Sequence, residues 1–149
     1  MDFILIGGVD NGNKAAIAQS QLIKWNKLPN IKWLGHRTDI AELYNHCHIA
    51  VLPSYREGLP KSLIEACAIG RPIVTTDVPG CREVVDDGIN GFLVKPRDFM
   101  DLAEKIQILL NDQSLRSTMG RASRVKAENE FGIRRIVEQT FDVYNHSLN

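Results

Sequence analysis

Two glutamates, Glu57 and Glu65, are eight positions apart in the stretch YREGLPKSLIEACAIGRP, residues 55–72. Glu57 precedes a glycine–proline turn, whereas Glu65 lies in an otherwise apolar run that leaves little exposed face around it. The two carboxylates could bind a ligand, act as a catalytic pair, or be unrelated surface charges. The residues between them indicate which chemistry the stretch supports.

The spacing predicts a helix over residues 60–69 that starts with an anion site. Pro60 suits the first helical position, because its missing N–H would have been unpaired there. The free N–H groups of Lys61 and Ser62 then point out of the positive end of the helix dipole, where phosphate binds. Lys61 adds a formal charge, and Gly58 allows a close approach of the backbone.

On this interpretation one carboxylate lies on each side of a phosphate site. Glu65 is on the second turn of the helix, about 7–8 Å along its axis, and Glu57 is in the loop before it. A carboxylate can accept two hydrogen bonds from sugar hydroxyls, so the pair suits a sugar–phosphate–ribose ligand. A glycosidase pair fits less well, because both carboxyls would flank one bond and a phosphate site would have no purpose.

Two other motifs carry weaker signals. The loop GGVDNGNK has asparagine, Asn13, where a phosphate-binding loop requires lysine, and it contains no G-x-G-x-x-G. It is better explained as a turn between a strand and a helix. The run His46, Cys47 and His48 has the wrong spacing for a metal site and no second cluster to complete one, so we expect no bound metal.

The composition excludes several classes of protein. Lysine plus arginine equals aspartate plus glutamate, 18 against 18, so bulk charge does not favour binding to nucleic acid. The longest apolar runs are far below the ~20 residues that span a membrane, and the N-terminus lacks the basic region of a signal peptide. Three cysteines without a C-x-x-C pair indicate reduced thiols in the cytoplasm.

Apolar segments alternate with helical patterns along the chain. The predicted strands are residues 3–6, 31–34, 49–53, 72–76 and 91–94. The predicted helices are residues 13–27, 40–44, 60–69, 80–85, 98–110, 114–128 and 131–146. Apolar strands separated by helices predict an α/β fold, an open parallel sheet with helices on both faces, Rossmann-like. Ligands bind beyond the carboxyl ends of such strands, which the loops 7–13, 35–39, 54–61 and 76–82 follow.

Residues 51–98 resemble the C-terminal, donor-binding half of retaining glycosyltransferases with the GT-B fold, glycosyltransferase group 1 or family 4. The Glu-x7-Glu motif matches at Glu57 and Glu65, and A-x-G-x-P-I-V, E-V-V-x-D-G-x-N-G-F-L-V and P-x-D follow in the family's order. Upstream, W-L-G-H-R-x-D-I-A-E-L-Y also fits. The resemblance covers nearly the whole chain and is most specific over residues 51–98.

The resemblance implies roles for these residues. Glu65 would hold the ribose of a UDP- or GDP-sugar, and Glu57, the catalytic candidate, would contact the transferred sugar near its 3- and 4-hydroxyls. The diphosphate would be held by the loop and helix start, namely Gly58, Leu59, Pro60, Lys61 and Ser62. The nucleobase would be lined by Gly35, His36 and Arg37. The family transfers sugar with retention of configuration and needs no cofactor or metal.

The resemblance also implies a wider setting. Relatives with this motif build surface polysaccharides on glycan or lipid-linked acceptors at the inner face of the cytoplasmic membrane. A complete member has an N-terminal acceptor domain and a first strand–helix unit carrying an arginine and a lysine, for which this sequence has no counterpart. We therefore expect 1–149 to be a single, N-terminally truncated donor-binding domain without transfer activity of its own.

An alternative interpretation keeps the fold without catalysis, as a remnant that binds a nucleotide sugar or a partner subunit. The intact Glu57, Gly58 and Glu65 favour descent from an active enzyme. Loss of the first strand would leave an inner edge of the sheet open, and the final helix, 131–146, is expected to cross toward the absent domain. This helix or the open edge could support a dimer.

Overall fold

The computed structural model describes residues 1–10, 12, 16–132, 137, 141 and 144. Within them strands and helices follow one another in the order β1 (Phe3–Leu5), α1 (Gln19–Trp25), β2 (Ile31–Trp33), α2 (Ile40–Asn45), β3 (Ala50–Leu52), α3 (Lys61–Ala68), β4 (Ile73–Thr76), α4 (Pro79–Val84), β5 (Gly91–Val94), α5 (Phe99–Asn111) and α6 (Gln113–Glu130). The predicted alternation of apolar strands and helices is confirmed through α5.

The chain forms two compact units, Met1–Ile40 and Ala41–Asn149. In the first unit β1 and β2 pair in parallel, with Phe3 opposite Ile31 and Leu5 opposite Trp33. The prediction of buried strands is wrong here, because Ile4 in the middle of β1 is 38% exposed. A two-stranded sheet of three-residue strands is too small to bury both of its faces.

The second unit contains a parallel sheet in the order β3-β4-β5. All four residues of the central strand β4 are buried. Adjacent residues of a strand point to opposite faces, and Ile73 packs in one apolar cluster while Val74 packs in another. The first cluster includes residues of α3 and α4, and the second includes Leu109 of α5. Helices therefore cover this sheet on both faces, as the sequence predicts.

Helix α3 ends in a backbone motif that only a left-handed residue completes. Gly70 has φ of +73°, its N–H donates to the carbonyl of Cys67 at 2.8 Å, and the N–H of Arg71 donates to Ala66 at 2.9 Å. This pair of bonds is the Schellman motif, and it confirms the predicted end of the helix at Gly70. A Cβ on Gly120 of α6 would overlap the carbonyl oxygen of Gly70, so α6 packs closely at this point.

Aspartate caps set the starts of the last two described helices. The Asp98 carboxylate accepts the N–H of Asp101 at 3.0 Å. Asp112 accepts the N–H of Leu115 at 2.8 Å, so α6 starts one residue earlier than predicted. Most of the predicted helix 131–146 lies outside the described residues, and its role toward an absent domain stays a prediction. None of the described helices is long and apolar enough to cross a bilayer.

Candidate functional site

The start of α3 is an open backbone terminus. Pro60 does not occupy the first helical position, so that prediction is wrong: its ψ of 108° is extended and it serves as the N-cap residue. Its carbonyl accepts the N–H groups of Leu63 and Ile64, at 3.0 and 3.2 Å. No side chain of the described residues caps this end. In the described part of the chain, the N–H groups of Lys61 and Ser62 therefore have no hydrogen-bond partner, as the sequence analysis expects.

Glu57 lies in the loop between β3 and α3, half-buried. The hydroxyl of Ser54 donates to Oε1 of Glu57 at 2.5 Å. Ser54 is itself held, because its carbonyl accepts the hydroxyl of Thr76. The carboxylate is thus fixed near the carboxyl end of β3, where ligands bind in open α/β sheets.

Glu65 lies on the same face of α3 as Lys61, four residues earlier. Their charged atoms are 3.5 Å apart, with the Lys61 side chain 88% exposed and that of Glu65 34% exposed. The prediction that Glu65 has little exposed face is confirmed only in part. An exposed pair of this kind contributes about 0.3–0.5 kcal/mol, so a ligand can readily separate it.

Tyr44 of α2 supports the first turn of α3 and was missed by the sequence analysis. Its hydroxyl donates to the carbonyl of Ser62 at 3.0 Å. Burial, followed by the nearby charge of Glu65, raises the pKa of Tyr44 to about 12. The hydroxyl therefore stays protonated and keeps donating at neutral pH. The only sequence signal was an apolar position in a short helix.

The loop before α3 presents open backbone. Gly58 is exposed and Leu59 is 52% exposed. A Cβ on Gly58 would meet no described atom within 4 Å, and its φ is not in the left-handed region. Neither protein packing nor backbone conformation therefore requires glycine here. The absence of a side chain leaves the loop accessible to a ligand.

The predicted base-binding loop, Gly35, His36 and Arg37, belongs to the first compact unit, whereas Glu57 and Glu65 belong to the second. Gly35 has φ of +66° and its carbonyl accepts the N–H of Gly7 at 2.8 Å. Arg37 donates to both carboxylate oxygens of Asp39, which holds the pKa of Asp39 below its usual value. The role of this loop in base binding stays a prediction.

The remaining motifs do not form a site in the described residues. Of the histidine–cysteine run, His46 and His48 are exposed and Cys47 is half-buried. No group of three or more metal-binding side chains lies together within the described ranges. In the first loop the N–H of Gly12 donates to the Asp10 carboxylate at 3.2 Å, as in a turn, and Asn13 lies outside the described residues.

An uncapped helix start that follows a parallel strand is a feature of α/β domains that bind anionic ligands. The chain belongs to the family described as "Glycosyl transferases group 1", whose profile matches residues 2–126. This confirms the resemblance described above, including the α/β fold class.

Curated relatives agree with the family. The capsular polysaccharide biosynthesis glycosyltransferase CapM of Staphylococcus aureus is 37% identical over 145 residues, covering 97% of this chain and 38% of that protein. The N,N'-diacetylbacillosaminyl-diphospho-undecaprenol alpha-1,3-N-acetylgalactosaminyltransferase of Campylobacter jejuni is 38% identical over 120 residues, covering 80% of this chain and 31% of that protein. The chain thus spans 31% to 38% of the length of these relatives.

Solved structures show the same fold. Anabaena HepE in complex with UDP superposes with a TM-score of 0.86 at 26% identity, over 96% of this chain and 40% of that chain. Its complex with UDP-glucose gives a TM-score of 0.85 at the same identity and coverage. Sucrose-phosphate synthase from Thermosynechococcus elongatus gives a TM-score of 0.86 at 26% identity, over 97% of this chain and 38% of that chain.

Proposed function

We propose that this chain is the donor-binding part of a glycosyltransferase that moves a sugar, with retention of configuration, from a UDP- or GDP-sugar to an acceptor. The observation that carries the proposal is the uncapped start of α3, which follows Glu57 and precedes Glu65 along the chain. The family and the nucleotide complexes of HepE support it.

The diphosphate would bind at the helix start. The N–H groups of Lys61 and Ser62 would donate to phosphate oxygens, and the helix dipole and the Lys61 charge would stabilise the negative charge that develops on the leaving diphosphate. Gly58 and Leu59 would let the backbone approach the same group. These donors are provided by the protein itself, so we propose that binding needs no metal ion or cofactor.

Each of the two carboxylates would bind one of the two sugars of the donor. Glu57, which Ser54 holds in place, would accept hydrogen bonds from hydroxyls of the transferred sugar. Glu65, whose bond to Lys61 is weak and exposed, would accept the ribose hydroxyls, leaving Lys61 to the diphosphate. The prediction that Glu57 and Glu65 are separate contacts, and not a hydrolytic pair, follows from this division.

The identity of the acceptor is inferred from the relatives alone. CapM is named for capsular polysaccharide biosynthesis and the Campylobacter relative for transfer to a diphospho-undecaprenol glycan. We propose a glycan or lipid-linked acceptor in surface polysaccharide synthesis, bound by parts of such proteins outside the matched third. The residues of 1–149 by themselves would then bind the donor without transferring its sugar. Attachment at the inner membrane face and dimer formation remain predictions.

Calorimetric titration with UDP and with GDP tests the donor site. We expect wild type to bind one of the two nucleotides, and Glu65→Ala to lower that affinity about tenfold to a hundredfold, because a charge-assisted hydrogen bond contributes about 1.5–3 kcal/mol. Glu104→Ala, which removes an exposed glutamate from α5, is the matched control and should bind as wild type does. Absence of binding by wild type would contradict the proposal and favour a non-catalytic remnant of the fold.

A further inference from the structure

We infer that Thr76 and Gly80, which lie outside the loop that carries Glu57, are positioning residues for Glu57 and set the contact with the transferred sugar. The inference rests on the proposed function, because it specifies how that site holds its sugar-reading carboxylate. Two independent observations support it, one from the end of β4 and one from the start of α4.

The first observation is the close approach of α4 to the backbone that carries Glu57. Gly80 is buried in the first turn of α4. A Cβ built on Gly80 would overlap the carbonyl oxygen of Gly58 and would lie 2.8 Å from the carbonyl oxygen of Glu57. Gly80 has no left-handed φ, so glycine is needed here for space. Any side chain would displace the backbone of Glu57 and Gly58, because the atoms in its way are main chain.

The second observation is a relay of hydrogen bonds from β4 to the carboxylate. The buried hydroxyl of Thr76 donates to the carbonyl of Ser54, and the hydroxyl of Ser54 donates to Oε1 of Glu57 at 2.5 Å. The neighbouring Thr75 donates to the carbonyl of Leu52 at 2.7 Å. Thr75 therefore binds the strand at Leu52, two residues before Ser54. Thr76 binds Ser54 itself, the residue that donates to Glu57.

The two restraints act on different parts of the same loop. Gly80 limits where the backbone of Glu57 and Gly58 can lie, and Thr76 holds Ser54 so that its hydroxyl directs the carboxylate. A carboxylate that is already oriented loses little entropy when a ligand arrives, and a shift of about 1 Å can cost a hundredfold in function. Loosening either restraint should therefore weaken the contact with the transferred sugar more than the contact with ribose.

Sugar preference is the quantity that separates positioning from general stability. It is the ratio of the dissociation constant of the nucleoside diphosphate to that of its sugar ester, measured with UDP and UDP-glucose and with GDP and GDP-glucose. We expect Thr76→Val to lower this ratio about fivefold to tenfold. Thr76→Ser, which keeps the hydroxyl, should restore it to within about twofold of wild type. Thr75→Val, the matched control on the same strand, should leave it unchanged.

Gly80→Ala should also lower the sugar preference, and Gly91→Ala controls for destabilisation. A Cβ on Gly91 would overlap the carbonyl oxygen of Ile73, at the opposite end of the sheet from Glu57. Both variants should lower the melting temperature, and only Gly80→Ala should change the ratio in the folded protein.

Equal ratios in wild type and Thr76→Val would overturn the inference while the donor site stands. Absence of nucleotide binding by wild type would instead overturn the proposed function.

Discussion

At the scale of single residues, the two glutamates differ in how firmly they are held. Glu57 is half-buried and accepts a hydrogen bond from Ser54, whereas within the described residues the ion pair of Glu65 is with the exposed Lys61. A fixed carboxylate suits discrimination among the hydroxyls of one sugar. A loosely paired carboxylate suits the ribose, which is common to UDP- and GDP-sugars. The difference in environment therefore matches the proposed division of roles.

Lys61 offers a prediction at this scale. Lys61→Ala should weaken UDP or GDP binding about threefold to tenfold, because an exposed cation beside the diphosphate is lost, and the remaining affinity should depend less on salt. Titrations at low and high ionic strength measure both effects. Lys27→Ala removes an exposed lysine from the first unit and should change neither. An unaltered salt dependence in Lys61→Ala would show that this lysine does not face the diphosphate.

The part of the site that sequence reasoning found is the part that is local in sequence. Glu57, Gly58, Lys61, Ser62 and Glu65 all lie within one loop and one helix, so spacing alone places them. Tyr44, Thr76 and Gly80 support that stretch through contacts with residues that are 18 or more positions away in sequence. Their contacts depend on how strands and helices pack, and no pattern within their own segments shows it.

At the scale of elements, hydrophobic pattern predicted the order of strands and helices but not every boundary or burial. The apolar pattern of residues 72–76 predicts a buried strand, and β4 is buried because it has a paired strand on each side. Residues 3–6 have the same apolar pattern, yet β1 pairs only with β2 among the described strands and leaves Ile4 exposed. Burial depends on the neighbours of a strand, which its own residues do not specify.

Pro60 shows a second limit of local pattern. Proline suits both the first helical position and the residue before it, because in either place its missing N–H is not needed. The extended ψ of Pro60 places it before the helix, and its carbonyl then takes the first helical bonds. The prediction of an open anion site does not depend on the position of Pro60, because the N–H groups of Lys61 and Ser62 are unpaired within the helix in either case.

Asn90 gives the prediction at this scale, in the turn between α4 and β5. It is fully buried, accepts the N–H of Asp86 at 2.7 Å and donates to the carbonyl of Val84 at 3.0 Å. Asn90→Ala leaves both backbone groups unpaired, so the free energy of unfolding should fall by about 2–4 kcal/mol. Urea denaturation measures it. The control Asn111→Ala, at an exposed helix end, should lower the free energy of unfolding by less than about 0.5 kcal/mol. Equal losses of unfolding free energy in the two variants would contradict the structural role given to Asn90.

At the scale of the whole molecule, the proposed donor site lies in a chain whose matched relatives are two to three times longer. The site elements Glu57, Glu65 and the start of α3 all lie in the larger compact unit, Ala41–Asn149. Binding of a nucleoside diphosphate can therefore be tested on this chain directly, independently of any acceptor. In this unit α3 and α4 pack on one face of the parallel sheet and α5 packs on the other.

The most direct test of the central claim is a titration of the isotope-labelled chain with UDP-glucose and GDP-glucose, followed by the backbone amide resonances. For one of the two donors, the account predicts saturable shifts at Gly58, Lys61 and Ser62, the groups expected to face the diphosphate. The same shifts should need far more ligand in Glu65→Ala. Saturable shifts confined to other parts of the chain, or no shifts with either donor, would contradict the claim that the start of α3 binds the diphosphate.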